Sequence, residues 1–60
     1  MNEQDYVYQQ IYKGALKAGA NDRAALQAAV TGLEKYKNNQ FKKASQLIEQ
    51  KIKEAVKDKY

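Results

Sequence analysis

The chain reads NDRAALQAAVTGLEKY from Asn21 to Tyr36, and its apolar residues fall on two adjacent flanks of a helix. At about 100° per residue, small side chains gather on one flank and aliphatic side chains on the next. The small flank consists of Ala25, Ala28, Ala29 and Gly32, and the aliphatic flank consists of Leu26, Val30 and Leu33. An ordinary surface helix has a single apolar stripe. We therefore predict a central helix that packs against one neighbouring helix on each flank.

This prediction makes Leu26 and Val30 core residues. Truncating a buried aliphatic side chain to alanine costs about 2–4 kcal/mol, from lost burial and from the cavity that remains. That loss would unfold most of so small a protein.

Apolar residues recur at helical spacing before and after the central segment. The preceding set is Val7, Tyr8, Ile11, Tyr12, Ala15, Leu16 and Ala18, and the following set is Phe41, Ala44, Ile48, Ile52 and Ala55, with Leu47 and Val56 at its edges. Asp5 is the predicted N-cap of the first helix, and Gly19 is its predicted end. Asn21 or Asp22 caps the second helix, and Asn38-Asn39 forms the second break.

The predicted fold is all-α: a compact antiparallel three-helix bundle with helices at about 5–18, 22–37 and 40–57. An alternative has no break at Asn38-Asn39, so that one long helix would have to dimerise. We favour the break, because two adjacent asparagines interrupt the periodicity where a turn is needed.

The composition describes one small basic domain, residues 1–60, without cysteine, histidine or tryptophan. A chain of this length buries only about 60% of the surface that its unfolded form exposes and has a thin stability margin, so self-association is an open expectation. Missing histidine and cysteine remove the usual general base, thiol nucleophile and transition-metal ligands. The three glycines are isolated and make no phosphate loop. We expect no enzyme activity, no cofactor, no metal and no small-molecule substrate.

The sequence shows neither a signal-peptide pattern nor an apolar run of membrane-spanning length. A cytoplasmic protein that does not bind membranes is therefore expected. The third helix is basic and amphipathic, but the predicted bundle uses its apolar face.

Basic residues concentrate at the C-terminal end, where residues 35–60 hold eight lysines against three carboxylates. Lysines on one helix face can contact phosphates and give salt-dependent binding. The candidates are Lys42, Lys43, Lys53 and Lys57. An ordinary solvated face, with Glu49 and Lys53 four residues apart, explains the same pattern and is favoured.

The segment ALKAGANDRAALQA, Ala15 to Ala28, resembles the helix-turn-helix pattern of DNA-binding proteins, with Gly19 at its turn. The resemblance implies that the helix beginning at Asp22 enters the major groove, with Arg23 and Gln27 as base-reading candidates.

Tyrosines are the remaining candidates for contact with a partner. Tyr12 and Tyr36 are expected at the rim of the core, whereas Tyr6 and Tyr8 are the candidate protein contacts. The leading hypothesis is a non-enzymatic helical interaction module, a regulator, adaptor or assembly part, that binds another protein or itself. The alternative hypothesis is a small DNA-binding protein that uses the hairpin around Gly19.

Overall fold

A computed structural model describes residues 2–57, and Met1 and residues 58–60 lie outside the described part. Its three helices are α1, Glu3–Lys17; α2, Asp22–Lys37; and α3, Ala44–Lys57. Each helix contacts the other two, so the predicted three-helix bundle is confirmed. The hydroxyl of Tyr36, near the end of α2, donates to Glu3 at the start of α1 at 2.6 Å, which shows that these helices run antiparallel.

The turn between α1 and α2 forms at Gly19, as the sequence predicts. Gly19 has a φ of 109°, in the left-handed region that glycine favours. The amide of Gly19 donates to the carbonyl of Leu16 at 3.1 Å, and the amide of Ala20 donates to that of Ala15 at 2.9 Å. These two bonds make a Schellman C-cap. The side chain of Asn21 then caps α2, accepting from the Ala24 amide at 2.8 Å.

The second turn has the same geometry, with an asparagine in place of the glycine. Asn39 has a φ of 56°, a conformation that asparagine tolerates better than most residues. The amide of Asn39 donates to the backbone carbonyl of Tyr36 at 3.2 Å, and the amide of Gln40 donates to that of Lys35 at 2.9 Å. The break at Asn38-Asn39 is therefore present, and the alternative of one long helix is wrong for this chain.

Two helix starts differ from the sequence prediction. Asn2, not Asp5, caps α1, since its side chain accepts from the Asp5 amide at 2.9 Å. The third helix begins at Ala44 rather than near residue 40. Phe41 stacks on Tyr36 with ring centroids 4.9 Å apart, so this ring closes the turn instead of joining the helix.

The core is built on the small flank of α2. Ile11 and Val7 of α1 are the largest fully buried side chains among the described residues. They pack with Ala15, Ala20, Ala25, Ala28, Ala29 and Ala55. A Cβ placed on Gly32 would collide with Cδ1 of Ile11 and lie 3.1 Å from Cγ of Lys51, so α1 and α3 meet α2 on the same side.

The prediction that the aliphatic flank of α2 is buried is wrong. Leu26 is 47% exposed and Val30 is 45% exposed, while Leu33 is half-buried. The small residues of α2 span an arc of about 100°, which is the arc that an ordinary amphipathic helix buries. Because these side chains are so short, both neighbours fit on that arc, and Leu26 and Val30 are left in contact with water.

The third helix is also rotated from the predicted orientation. Its buried residues are Leu47, Lys51 and Ala55, one turn apart, whereas Ile48 and Ile52 are only half-buried. Lys51 was not expected in this row. Its ammonium group forms an ion pair with Glu54 at 2.8 Å, while its methylene groups pack near Gly32. Long cationic side chains commonly bury their apolar stem in this way.

We expect Leu26→Ala and Val30→Ala to change the free energy of unfolding by less than about 1 kcal/mol each, because both side chains are already in contact with water. Ile11→Ala, at a position that is 0% exposed, should cost about 2–5 kcal/mol and is the matched control. Urea melts of the three variants measure the difference. A loss at Leu26 as large as at Ile11 would contradict the exposed flank.

Gly32→Ala should destabilise the protein by about 1–3 kcal/mol, although alanine is the better helix former. The added methyl group has to displace Ile11, which is fully enclosed. Gly14→Ala is the control, since its methyl group meets Cδ1 of the half-buried Ile52, which can move towards solvent. Thermal melts should show the larger loss at Gly32, and equal losses would contradict this packing.

Candidate interaction surface

The exposed side of α2 presents an apolar stripe between charged residues, here called the α2 outer face. Its apolar residues are Leu26, Val30 and Leu33, which lie within about 60° of one another around the helix. Its charged residues, all exposed, are Asp22, Arg23, Glu34 and Lys37. Only three large hydrophobic side chains are strongly exposed among residues 2–57, and Leu26 and Val30 are two of them.

The charged residues of the α2 outer face are arranged in a definite order along the helix. Asp22 and Arg23 lie in its first turn, and Glu34 and Lys37 lie in its last turns. Arg23 and Glu34 share one edge of the face, but the rise of about 1.5 Å per residue separates them by roughly 16 Å. They therefore cannot pair with each other within one chain.

A rim of tyrosine borders this face. The hydroxyl of Tyr12 donates to Asp22 at 3.4 Å, a long bond that links this flank of α1 to the start of α2. The charge of Asp22 is the main reason that the pKa of Tyr12 is raised. Tyr8 lies one turn before Tyr12, is half-buried, and packs against the core. Tyr8 is thus placed on the same flank of α1, beside α2.

The two tyrosines expected at the core rim are found there. Tyr36 is half-buried, and its hydrogen bond to Glu3 raises its pKa. Tyr12 is also half-buried. Tyr6, by contrast, is 54% exposed and lies on the side of α1 away from the core. The two candidate protein contacts, Tyr6 and Tyr8, therefore do not share a surface.

The candidate nucleic-acid contacts are exposed but dispersed. Arg23 and Gln27 lie on the N-terminal half of α2. Lys42 and Lys43 lie in the connection before α3, at the opposite end of the bundle. A third group, Lys53 and Lys57, lines a shallow depression of about 360 Å³ together with Ala18, Ile52 and Val56. The structure does not bring these cations together on one face.

Lys51 and Glu54 form a feature that sequence reasoning missed. They line a cavity of about 160 Å³ beside Gln27, Thr31 and Ala24 of α2. The hydrogen bond from Lys51 is the largest cause of the lowered pKa of Glu54, and it prevails over burial, which raises that pKa. The sequence signal was available, because Lys51 lies midway between Leu47 and Ala55 in one helical row.

Two kinds of site are absent from the described part of the chain. Residues 2–57 contain no group of three or more carboxylate, histidine or cysteine side chains that could hold a metal ion. Over the same residues, no helix has the length and apolar content needed to cross a bilayer.

Comparisons with protein families, with characterised proteins and with solved structures find no match to this chain.

The Lys51–Glu54 pair should make the free energy of unfolding decrease as the pH falls into the acidic range. Because the pKa of Glu54 is lowered in the folded state, its contribution is present above the ordinary value of 4.5 and is lost as the pH falls through the folded value. Glu54→Gln should cost about 1 kcal/mol or less at pH 7, since the carboxylate is partly exposed, and nothing near pH 2. Melts at both pH values test this, with Glu49→Gln as the control. An equal loss at pH 2 would contradict a charge effect.

Proposed function

We propose that this protein is a non-enzymatic interaction module that binds another protein or a second copy of itself through the α2 outer face. The observation that supports the proposal is the exposure of Leu26 and Val30. Transferring apolar surface out of water stabilises a complex by about 25 cal/mol per Å² before other costs. The proposed compartment is the cytoplasm, as the sequence predicts.

Single exposed aliphatic residues are common and need no explanation. Here, however, Leu26, Val30 and Leu33 follow one another at spacings of four and three residues on one side of one helix. That spacing is the one by which amphipathic helices dock into grooves or onto other helices. The bundle closes over the small flank of α2 and leaves Leu26 and Val30 exposed, so the apolar character of these two residues is not required by the core.

Site-specific photo-crosslinking in the native host tests this proposal. A photoreactive amino acid at position 26 or 30 should give a covalent adduct with a polypeptide, whose mass distinguishes a second copy from another protein. The same amino acid at Gln9, exposed on the far side of α1, is the control and should give none. Adducts at Gln9 that equal those at position 26, or none at either, would contradict the proposal.

A second candidate function is DNA binding, which the exposure of Arg23 and Gln27 on α2 favours. The turn at Gly19 has the left-handed glycine that the helix-turn-helix resemblance implies. Asp22 and Glu34 oppose this function, because they place negative charge on the helix that would face phosphates.

Retention on duplex DNA separates the two candidates. DNA binding should weaken steeply between about 50 and 200 mM salt, and further with Arg23→Ala and Gln27→Ala. Gln9→Ala is the matched control for the loss of a polar side chain. If neither α2 substitution changes retention on duplex DNA, this helix does not contact the bases and the DNA-binding hypothesis is contradicted.

A further inference from the structure

We propose that the occupant of the α2 outer face is a second copy of the chain. The two α2 helices would dock antiparallel, related by a two-fold axis that crosses α2 at the level between residues 29 and 30. This proposal rests on the function proposed above and names its partner. In this register Leu26 lies opposite Leu33 of the second copy, and the relation is reciprocal. Two-fold contacts of this kind are the commonest way in which identical chains associate.

Charge complementarity selects this orientation. When residue 26 faces residue 33, Asp22 faces Lys37 of the second copy at each end of the contact. Arg23 lies within two residues, about 3 Å along the helix, of the position opposite Glu34 of the second copy. Long side chains reach across that offset, so four opposite-charge pairs form about one axis. A parallel pair would instead place each charge against its own kind, which is destabilising.

The charges needed for this contact are free to make it. The ion pair that the structure shows among residues 2–57 joins Lys51 and Glu54, and none of the four charged groups on the α2 outer face takes part in it. Among the described residues, the hydrogen bond that the structure shows at the Asp22 carboxylate is the long one from Tyr12, at 3.4 Å. The α2 outer face is therefore self-complementary in charge as well as apolar at its centre. Binding to a different protein would not require this self-complementarity, whereas binding to a second copy does.

The size of the contact sets its expected strength. The 16 residues of α2 extend about 24 Å. A standard interface takes about 800 Å² from each partner, which is a large share of the 4511 Å² of this chain's surface. A single helix face supplies less than that, so we expect a weak dimer, with dissociation in the micromolar range or above.

Sedimentation equilibrium of the full chain tests the proposal, at low salt and from about 1 μM to about 1 mM. Arg23→Glu places glutamate against Glu34 of the second copy at both ends, and Glu34→Arg does the same with arginine. Each variant should dissociate about tenfold more readily than the wild type. The double variant R23E/E34R restores opposite charges and should recover wild-type association.

Mixing the two single variants gives the sharpest result. A chain with Glu at 23 and 34 complements a chain with Arg at both. An equimolar mixture should therefore associate at concentrations at which each variant alone is mainly monomeric. Both substitutions suit the helix dipole, adding an anion to the first turn and a cation near the last. Circular dichroism should therefore show folded variants, and Gln9→Glu is the control for a charge change elsewhere.

Other outcomes overturn the proposal. A wild-type chain that stays monomeric up to about 1 mM overturns it, and so does a dimer that neither single variant weakens, because a parallel or unrelated contact would be responsible. If photo-crosslinking at position 26 then captures a different protein, self-docking fails while the proposed function stands. If it captures nothing, both fail.

Discussion

The close approach of three helices at α2 is the constraint on which the structure depends. Gly32 leaves no room for a Cβ against Ile11, and alanines surround it along the same side of the helix. Short side chains bring two neighbours onto one narrow arc, so contact area comes from backbone proximity rather than from interdigitated large residues. The cost is a core with few bulky groups, since Ile11 and Val7 are its largest fully buried side chains within residues 2–57.

The sequence predicted the number of helices and the two turns well, because those depend on local signals. Gly19, Asn21 and Asn39 each act through their own backbone or side chain, and each was found in its expected place. The sequence predicted the direction of packing poorly. Whether Leu26 faces a neighbour depends on how two other helices share α2, and periodicity reports only that a face is apolar. Lys51 was missed for the same reason. Its charged end group indicates a solvated position, although the residue lies in a buried row of α3.

The error at Leu26 bears directly on the candidate site. The surface that we propose for binding consists of residues that the pattern assigned to the core, so a core prediction and an interface prediction cannot be told apart from hydrophobicity alone. What distinguishes them is the flanking charge. Arg23 and Glu34 lie on the edge of the same face, an arrangement that a buried flank would not need and that an outward surface can use.

The connections in this bundle have a kinetic consequence. Only residues 18–21 and 38–43 separate the helices, so α2 finds both of its partners close by in sequence. Proteins dominated by such local contacts fold in microseconds to milliseconds. A chain of this kind reaches its native shape far sooner than it meets another copy at micromolar concentration, so any assembly would begin from folded monomers rather than from intertwined, partly folded chains.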